Sequence, residues 1–92
     1  MRVFFNKSFF RAFSRLERSE QEAVKSGMDS FMSALDGSRA FPQGLGLRHL
    51  RPSHFEIRAG LALRVLFSRE KDVLTWLFVG NHDEIRKFLK RL

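Results

Sequence analysis

The 92-residue sequence contains no cysteine, no tyrosine, only two prolines and a single tryptophan. Without cysteine, the chain has no disulfide, no thiolate zinc ligand and no thiol nucleophile. Its longest nearly apolar run, Val73–Val79, is far shorter than the roughly 20 residues that a membrane-spanning helix needs. The apolar stretch within Met1–Asn6 is too short for a signal peptide. We therefore expect a cytoplasmic protein without a membrane partner.

Acidic side chains are also scarce, with ten Asp and Glu against 17 Lys and Arg, which gives a net charge of +7. The excess is uneven. Residues 1–45 carry seven basic and five acidic side chains, whereas residues 46–92 carry ten and five. A small domain with this charge attracts polyanions, most commonly nucleic acid. The alternative is that the charge only keeps the protein soluble.

Phenylalanine is abundant, with eleven residues that can fill a core. Chains divide into separate cores only beyond roughly 250 residues, so we expect residues 1–92 to form one domain. Met1–Phe5 is predicted to be a strand, and Phe9, Phe13 and Leu16 recur at helical spacing after a cap at Asn6 or Ser8.

A second helix is predicted to begin with a capping box formed by Ser19 and Glu22, in which each side chain bonds a free backbone N–H of the other residue. Gly37 is suited to end it, because glycine tolerates the left-handed conformation of many helix exits. The apolar positions of this helix form one stripe that should face the core, namely Val24, Met28, Phe31 and Leu35.

After a loop at residues 38–46 the apolar period changes to two, which is typical of strands. Strands are predicted weakly within Leu45–Leu50, clearly over His54–Ala59, and over Leu61–Phe67, with a turn at Gly60. Arg69–Asp72 is predicted to be the next turn. Beyond it the sequence predicts a central strand, Val73–Val79, covered on both faces, a capping pair, Asn81 and Glu84, and a final helix with apolar positions Ile85, Phe88, Leu89 and Leu92.

Several side chains suited to cleaving RNA without a metal fall in this second half. The ribose 2′-hydroxyl can attack the adjacent phosphate if a base, an acid and a cation stabilise the reaction. If the apolar residues of the predicted strands His54–Ala59 and Leu61–Phe67 face the helices, strand alternation places their polar residues together on the open face. The predicted catalytic residues are Arg64, Arg58, Glu56 and His54, with His82 just past the last strand.

Several of these residues also have a structural interpretation. Arg64 can form an ion pair with Glu56 that only stabilises the sheet, although a guanidinium held in a strand also suits a phosphate. His82 can simply belong to the capping segment of the final helix, and His54 can be structural. Arg64→Ala is expected from the sequence to abolish activity and to change the melting temperature by only a few degrees.

The segments His54–Arg58, Leu63–Phe67 and Phe78–Ile85 resemble the RelE/ParE superfamily of type II toxin–antitoxin toxins, and the order of elements is similar over nearly the whole chain. The resemblance implies an α+β, RelE-like βααβββ(α) fold, in which an N-terminal αα-hairpin packs on a curved, mainly antiparallel sheet with a C-terminal helix. It also implies a toxin that a cognate antitoxin inhibits. RelE-like members cleave mRNA on the ribosome, whereas ParE-like members poison DNA gyrase without nuclease activity.

The resemblance assigns the scissile phosphate to Arg64, a basic position to Arg58 and a proton-transfer position to His82. Many RelE-like enzymes use a tyrosine near the final helix, and Phe88 stands at a comparable place here. Phe88 can stack on a base but cannot transfer a proton, which leaves acid–base chemistry to His82, His54 or Glu56.

We therefore predict a ribosome-dependent or free mRNA endonuclease, with a gyrase poison or an inactive nucleic-acid-binding relative as alternatives. No phosphate loop, Ser/His/Asp motif or metal-ligand spacing is present in the sequence, so no metal and no cofactor are expected. An RNA backbone track is predicted from Arg48, His49, Arg51, Arg86, Lys87, Phe88, Lys90 and Arg91.

Overall fold

The computed structural model describes residues 1–38 and 40–92, and within them the chain forms five strands and three helices. The α+β class and the order of elements agree with the sequence-based prediction. The weak strand predicted within Leu45–Leu50 is present as β2. The strands are Arg2–Phe5 (β1), Arg48–Arg51 (β2), His54–Ala59 (β3), Leu63–Glu70 (β4) and Val73–Gly80 (β5). The helices are Lys7–Ser14 (α1), Arg18–Leu35 (α2) and His82–Lys90 (α3).

The strands form one mixed sheet in the order β1-β5-β4-β3-β2. Consecutive strands from β2 to β5 pair antiparallel, as short hairpin connections require. β1 instead pairs parallel with β5 and occupies the edge of the sheet. The Ser8 hydroxyl, on the first turn of α1, donates to the Leu77 carbonyl at 2.6 Å and so ties α1 to the same strand.

The αα-hairpin formed by α1 and α2 covers one face of the sheet. The predicted apolar stripe of α2 lies in the core, since Val24 and Phe31 are buried and Met28 and Leu35 pack against the same cluster. The strands contribute the other half of this core, including Ile57, Val65, Phe67 and Trp76.

The start of α2 differs from the prediction. Its N-cap is Glu17, whose backbone N–H donates to the Glu20 carboxylate at 2.9 Å. Ser19 already lies inside the first helical turn, so it has lost the extended backbone that a capping residue needs. The predicted exit is confirmed, because Gly37 follows α2 with a φ of +83°.

The opposite face of the sheet is covered in part by α3. Ile85 and Leu89 pack on Leu66 of β4 and Leu77 of β5 in a second, smaller apolar cluster. Alternation along β5 places Leu77 on this side while its neighbour Trp76 stays in the main core, and a bulge at Leu77 brings Phe78 to the α3 side as well. β5 is therefore covered on both faces, as its apolar sequence predicts.

Local contacts define the start of α3 and the end of β4. The capping pair predicted for α3 is confirmed, since Asn81 Oδ1 accepts from the Glu84 N–H at 2.9 Å and Glu84 accepts from the Asn81 N–H at 2.8 Å. The turn predicted over Arg69–Asp72 is shorter than expected, because β4 continues to Glu70, which pairs with Val73. Within the described residues, no helix is long and apolar enough to cross a membrane.

Candidate functional site

Two arginines lie side by side on the face of the sheet opposite the αα-hairpin. Ile57 and Val65 point into the main core, so alternation places Glu56, Arg58 and Arg64 on the other face. Arg58 and Arg64 are direct cross-strand partners of β3 and β4. The Cα atoms of such partners are about 5 Å apart. Two cations therefore share one small area of the sheet.

Glycines flank this arginine pair on both sides. Arg64 pairs with Gly80 at the end of β5, and the Arg58 N–H donates to the Leu45 carbonyl at 2.7 Å just before β2. A Cβ built on Gly46 would lie 3.1 Å from Arg58 Cγ, so the arginine stem packs directly on the glycine backbone. We call Arg58 and Arg64, with Gly46 and Gly80 beside them, the arginine row.

Arg64 is held by a buried carboxylate. Its Nη1 donates to Glu56 Oε2 at 2.9 Å, and the two side chains are 18% and 2% exposed respectively. Among the residues that the structure describes, Glu56 is the one buried charged side chain. The ion pair anticipated from the sequence is therefore present, and it fixes the guanidinium while a part of it still reaches solvent.

A third arginine, Arg48, lies on the edge strand β2 beside the ion pair of Arg64 and Glu56. Arg48 of β2 is the direct cross-strand partner of Glu56, so it lies on the same face of the sheet. Arg58 follows Glu56 by two residues, a separation of about 7 Å along the strand. Three arginines thus occupy positions beside Glu56 on this face, and Arg64 is the one that forms an ion pair with the carboxylate.

His82 lies at the end of the sheet that carries the arginine row. Gly80 is the partner of Arg64, and the chain leaves the sheet through Asn81 to begin α3 at His82. His82 is exposed in the first turn of that helix. Its backbone is therefore at the same end of the sheet as Arg58 and Arg64, and a shared catalytic role with them stays a prediction.

His54 is separated from that group. It pairs with Ser68 at the opposite end of β3, four residues from Arg58, which is about 13 Å along a strand. Partial burial and the positive charge of Arg51 lower the pKa of His54 from its ordinary 6.5, and Glu70 opposes this shift. The structure does not place His54 in reach of the arginine row.

The predicted RNA-binding residues are divided between surfaces. His49 lies on the αα-hairpin side, where its ring stacks on Phe55 at 4.7 Å, so it does not share a face with Arg48. Arg51 is exposed at the end of β2, paired with His54. The remaining cations of the predicted track are exposed along α3, namely Arg86, Lys87, Lys90 and Arg91.

Phe88 is half-buried in the second cluster and stacks on Phe78 of β5, with ring centroids 4.7 Å apart. A shallow groove of about 170 Å³ opens beside these two rings and is lined also by Glu84, Lys87 and Arg91. Sequence reasoning missed the contribution of Phe78, because an apolar residue in a predicted central strand gives no sign of lying at a groove.

Gly80 was also missed as a site residue. A Cβ at this position would lie 2.9 Å from Glu84 Cβ and 3.0 Å from the Phe78 ring, so only glycine lets α3 start this close to the sheet. Its place between a strand and a capping asparagine was the available signal. In the described part of the chain, no group of three or more His, Asp or Glu side chains is arranged to hold a metal ion.

Comparison with known proteins gives a clear result for the fold only. No protein-family model and no curated protein sequence matches the chain. Solved structures do match. A chain of the RelB–RelE antitoxin–toxin complex from Methanococcus jannaschii is 14% identical, with a TM-score of 0.68 over 94% of this chain and 98% of that one.

Two further structures match to a similar degree. A chain of the DinJ–YafQ complex from E. coli is 11% identical, with a TM-score of 0.67 over 92% of this chain and 98% of the other. A copper-bound mutant toxin from Helicobacter pylori is 15% identical, with a TM-score of 0.67 over the same shares. The protein therefore has the RelE/ParE toxin fold, which confirms the fold that the sequence resemblance implied.

Proposed function

We propose that the protein is the toxin of a type II toxin–antitoxin system and that it cleaves mRNA, on the ribosome, without a metal ion. The observation that carries the proposal is the arginine row on the face of the sheet opposite the αα-hairpin, with His82 at the same end of the sheet. A fold shared with RelE and YafQ structures supports it. Neither the fold nor the charge alone would distinguish a nuclease from a protein that only binds nucleic acid.

The proposed reaction uses the RNA's own 2′-hydroxyl. Its oxygen forms a bond to the adjacent phosphorus while the bond from phosphorus to the 5′-oxygen breaks. The 2′ proton passes to a base and the leaving oxygen receives a proton from an acid. We assign the phosphate to Arg64 and Arg58, because paired guanidinium groups stabilise the charge that develops on its oxygens.

We assign one of these two proton transfers to His82 and the other to a water molecule. An imidazole titrates close to neutral pH, and His82 is exposed at the end of the arginine row. His54 lies four residues from Arg58 along β3, at the other end of the strand. We therefore do not propose it as the base.

RNA on either side of the scissile phosphate would follow the cations around the row. Arg48 and Arg51 lie on the β2 side, and Lys87 and Lys90 on α3. A base could enter the groove beside Phe78 and Phe88. Backbone contacts of this kind make affinity fall steeply with salt. RNA affinity that is unchanged between about 50 and 300 mM salt would contradict the track.

The partner that we propose is an acidic or amphipathic antitoxin that covers this basic surface, with the cytoplasm as the site of action. Structural relatives crystallised as RelB–RelE and DinJ–YafQ complexes support a protein partner of this kind.

The deciding experiment is induced expression, with mapping of mRNA 5′ ends and a plasmid supercoiling assay in parallel. New RNA ends with normal supercoiling support the nuclease. DNA breaks without RNA cuts would instead identify a gyrase poison, an alternative that the absence of tyrosine and the packing of Phe88 against Phe78 favour.

The residue-level test compares Arg64→Lys with Arg69→Lys. Both arginines lie on β4, but Arg69 is exposed at the far end of the strand. Lysine keeps the charge and loses the planar fork that binds a phosphate through two hydrogen bonds. We expect toxicity to disappear in the Arg64 variant and to persist in the Arg69 variant. Equal toxicity would remove Arg64 from the proposed mechanism.

A further inference from the structure

We propose that Glu56 is a positioning residue, which holds the Arg64 guanidinium in the arginine row, and that it is not the general base of the reaction. The inference rests on the proposed nuclease function, since it concerns the role of a carboxylate within that site. Three observations support it: the burial of Glu56, the hydrogen bond it accepts, and the cations around it.

The burial of Glu56 removes it from a substrate's reach. Its side chain is 2% exposed, whereas a general base must approach the hydroxyl it deprotonates to about 2.6–3.2 Å, directly or through one water. The Arg64 guanidinium that it contacts is 18% exposed, so within this ion pair a bound RNA can reach the arginine more readily than the carboxylate.

The hydrogen bond itself also engages the carboxylate. Glu56 Oε2 accepts from Arg64 Nη1 at 2.9 Å. A general base must direct an oxygen at the hydroxyl that it deprotonates, whereas this oxygen is directed at the guanidinium. The contact therefore suits a residue that holds Arg64 better than one that takes a proton from the substrate.

The geometry does suit a positioning role. A guanidinium carries five N–H donors in a rigid plane, so a bond from Nη1 to Glu56 fixes the plane and leaves other N–H groups able to bind a phosphate. Arg58 stands directly opposite Arg64, and Arg48 directly opposite Glu56. Like charges placed opposite one another destabilise a sheet. The hydrogen bond that the Glu56 oxygen accepts holds the Arg64 guanidinium in place against that repulsion.

The test is Glu56→Gln, assayed for cleavage of a defined mRNA with ribosomes present, over pH 5 to 9. A glutamine oxygen still accepts from Arg64 and so keeps the guanidinium in place, but an amide cannot act as a base. We expect less than about a tenfold loss of kcat and an unchanged acidic limb of the pH profile, since general-base loss costs about 100- to 10,000-fold. A loss of about 100-fold or more together with disappearance of that limb would overturn the inference.

Glu56→Ala provides the opposite comparison. Without an acceptor, Arg64 loses its orientation, and we expect a much larger loss than in Glu56→Gln, mostly in kcat. If Glu56→Gln keeps most of the cleavage rate and Glu56→Ala loses it, Glu56 acts by positioning Arg64 and not as a base. Melting curves of both variants identify loss of folding, and the glutamine variant alone decides the question if the alanine variant does not fold.

A failure of the nuclease proposal would be recognisable, because the wild-type protein would then leave RNA intact. The positioning role would then be decided by affinity for an RNA oligonucleotide, measured for Glu56→Gln, Arg64→Lys and the double variant. Positioning predicts that Glu56→Gln binds within about threefold of wild type. It also predicts that Arg64→Lys binds weakly, and that adding Glu56→Gln to it weakens binding no further. Weakened binding in Glu56→Gln that adds fully to the Arg64→Lys effect would overturn the role.

Discussion

Removal of the Arg64 side chain should destabilise the protein far more than removal of an ordinary strand arginine. In Arg64→Ala, the Glu56 carboxylate stays almost completely buried and loses the guanidinium 2.9 Å away. Breaking a buried pair by deleting one partner costs about 3–5 kcal/mol. The whole free energy of unfolding of a small domain is only about 5–15 kcal/mol, so the variant should be near its limit of stability.

The magnitude can be measured by urea unfolding followed through Trp76. This tryptophan, the only one in the sequence, is 1% exposed in the main core, so its fluorescence should report the loss of packing. About 3 kcal/mol corresponds to a fall in melting temperature of at least about 12 °C for a domain of this size. This exceeds the change of a few degrees expected from the sequence alone, because the sequence does not show how deeply the carboxylate is buried.

Arg69→Ala is the matched control, since Arg69 is exposed on the same strand and should cost less than about 0.5 kcal/mol. The double variant Glu56→Leu/Arg64→Ala should recover much of the loss, because it removes the unpaired charge as well. If Arg64→Ala proved as stable as Arg69→Ala, Glu56 would have to be hydrated in solution, and the argument from burial would be wrong.

Three further predictions concern stability. Asn81→Ala should lose about 0.5–2 kcal/mol with the α3 cap, whereas Ser19→Ala, at a position that does not cap α2, should change urea unfolding by only a few tenths. Gly80→Ala should cost about 1–3 kcal/mol in the same assay, because its Cβ would meet the first turn of α3 at 2.9 Å; a neutral result would show that α3 can shift freely. The lowered pKa of His54 means that the unfolded chain binds its proton more readily, so stability should fall as pH drops through about 6.5, and His54→Gln should flatten that slope in melting curves from pH 7.5 to 5.5.

The parts of the fold that follow from local sequence patterns were predictable. The apolar stripe of α2, the capping pair of α3 and the alternation in β3 each depend on residues within about one or two turns of one another. Alternation also sufficed to place Arg58 and Arg64 on one face. The capping residue of α2 was misassigned, because Glu17 and Ser19 both start patterns that are compatible with a capping box.

The long-range features could not be derived in this way. Nothing in residues 2–5 indicates a parallel pairing with β5, and nothing near His54 indicates that it lies apart from His82. The register of β3 with β4 decides that Arg64 opposes Arg58 while donating to Glu56, and a shift by two residues would keep every apolar side chain on its face. Sequence reasoning therefore identified the candidate residues and their shared surface, but it could not decide which of them are neighbours.

The parallel pairing of β1 with β5 joins two segments that are far apart in sequence. Arg2 opposes Val73 and Phe5 opposes Trp76, so each residue of β1 meets a partner 71 positions further along the chain. Until that pairing forms, Phe5 and Phe9, which pack against each other at 5.5 Å, have no sheet beneath them. Contacts this distant in sequence slow folding. We therefore expect the pairing of β1 with β5, and with it the docking of α1 on the sheet through Ser8 and Leu77, to form late in folding.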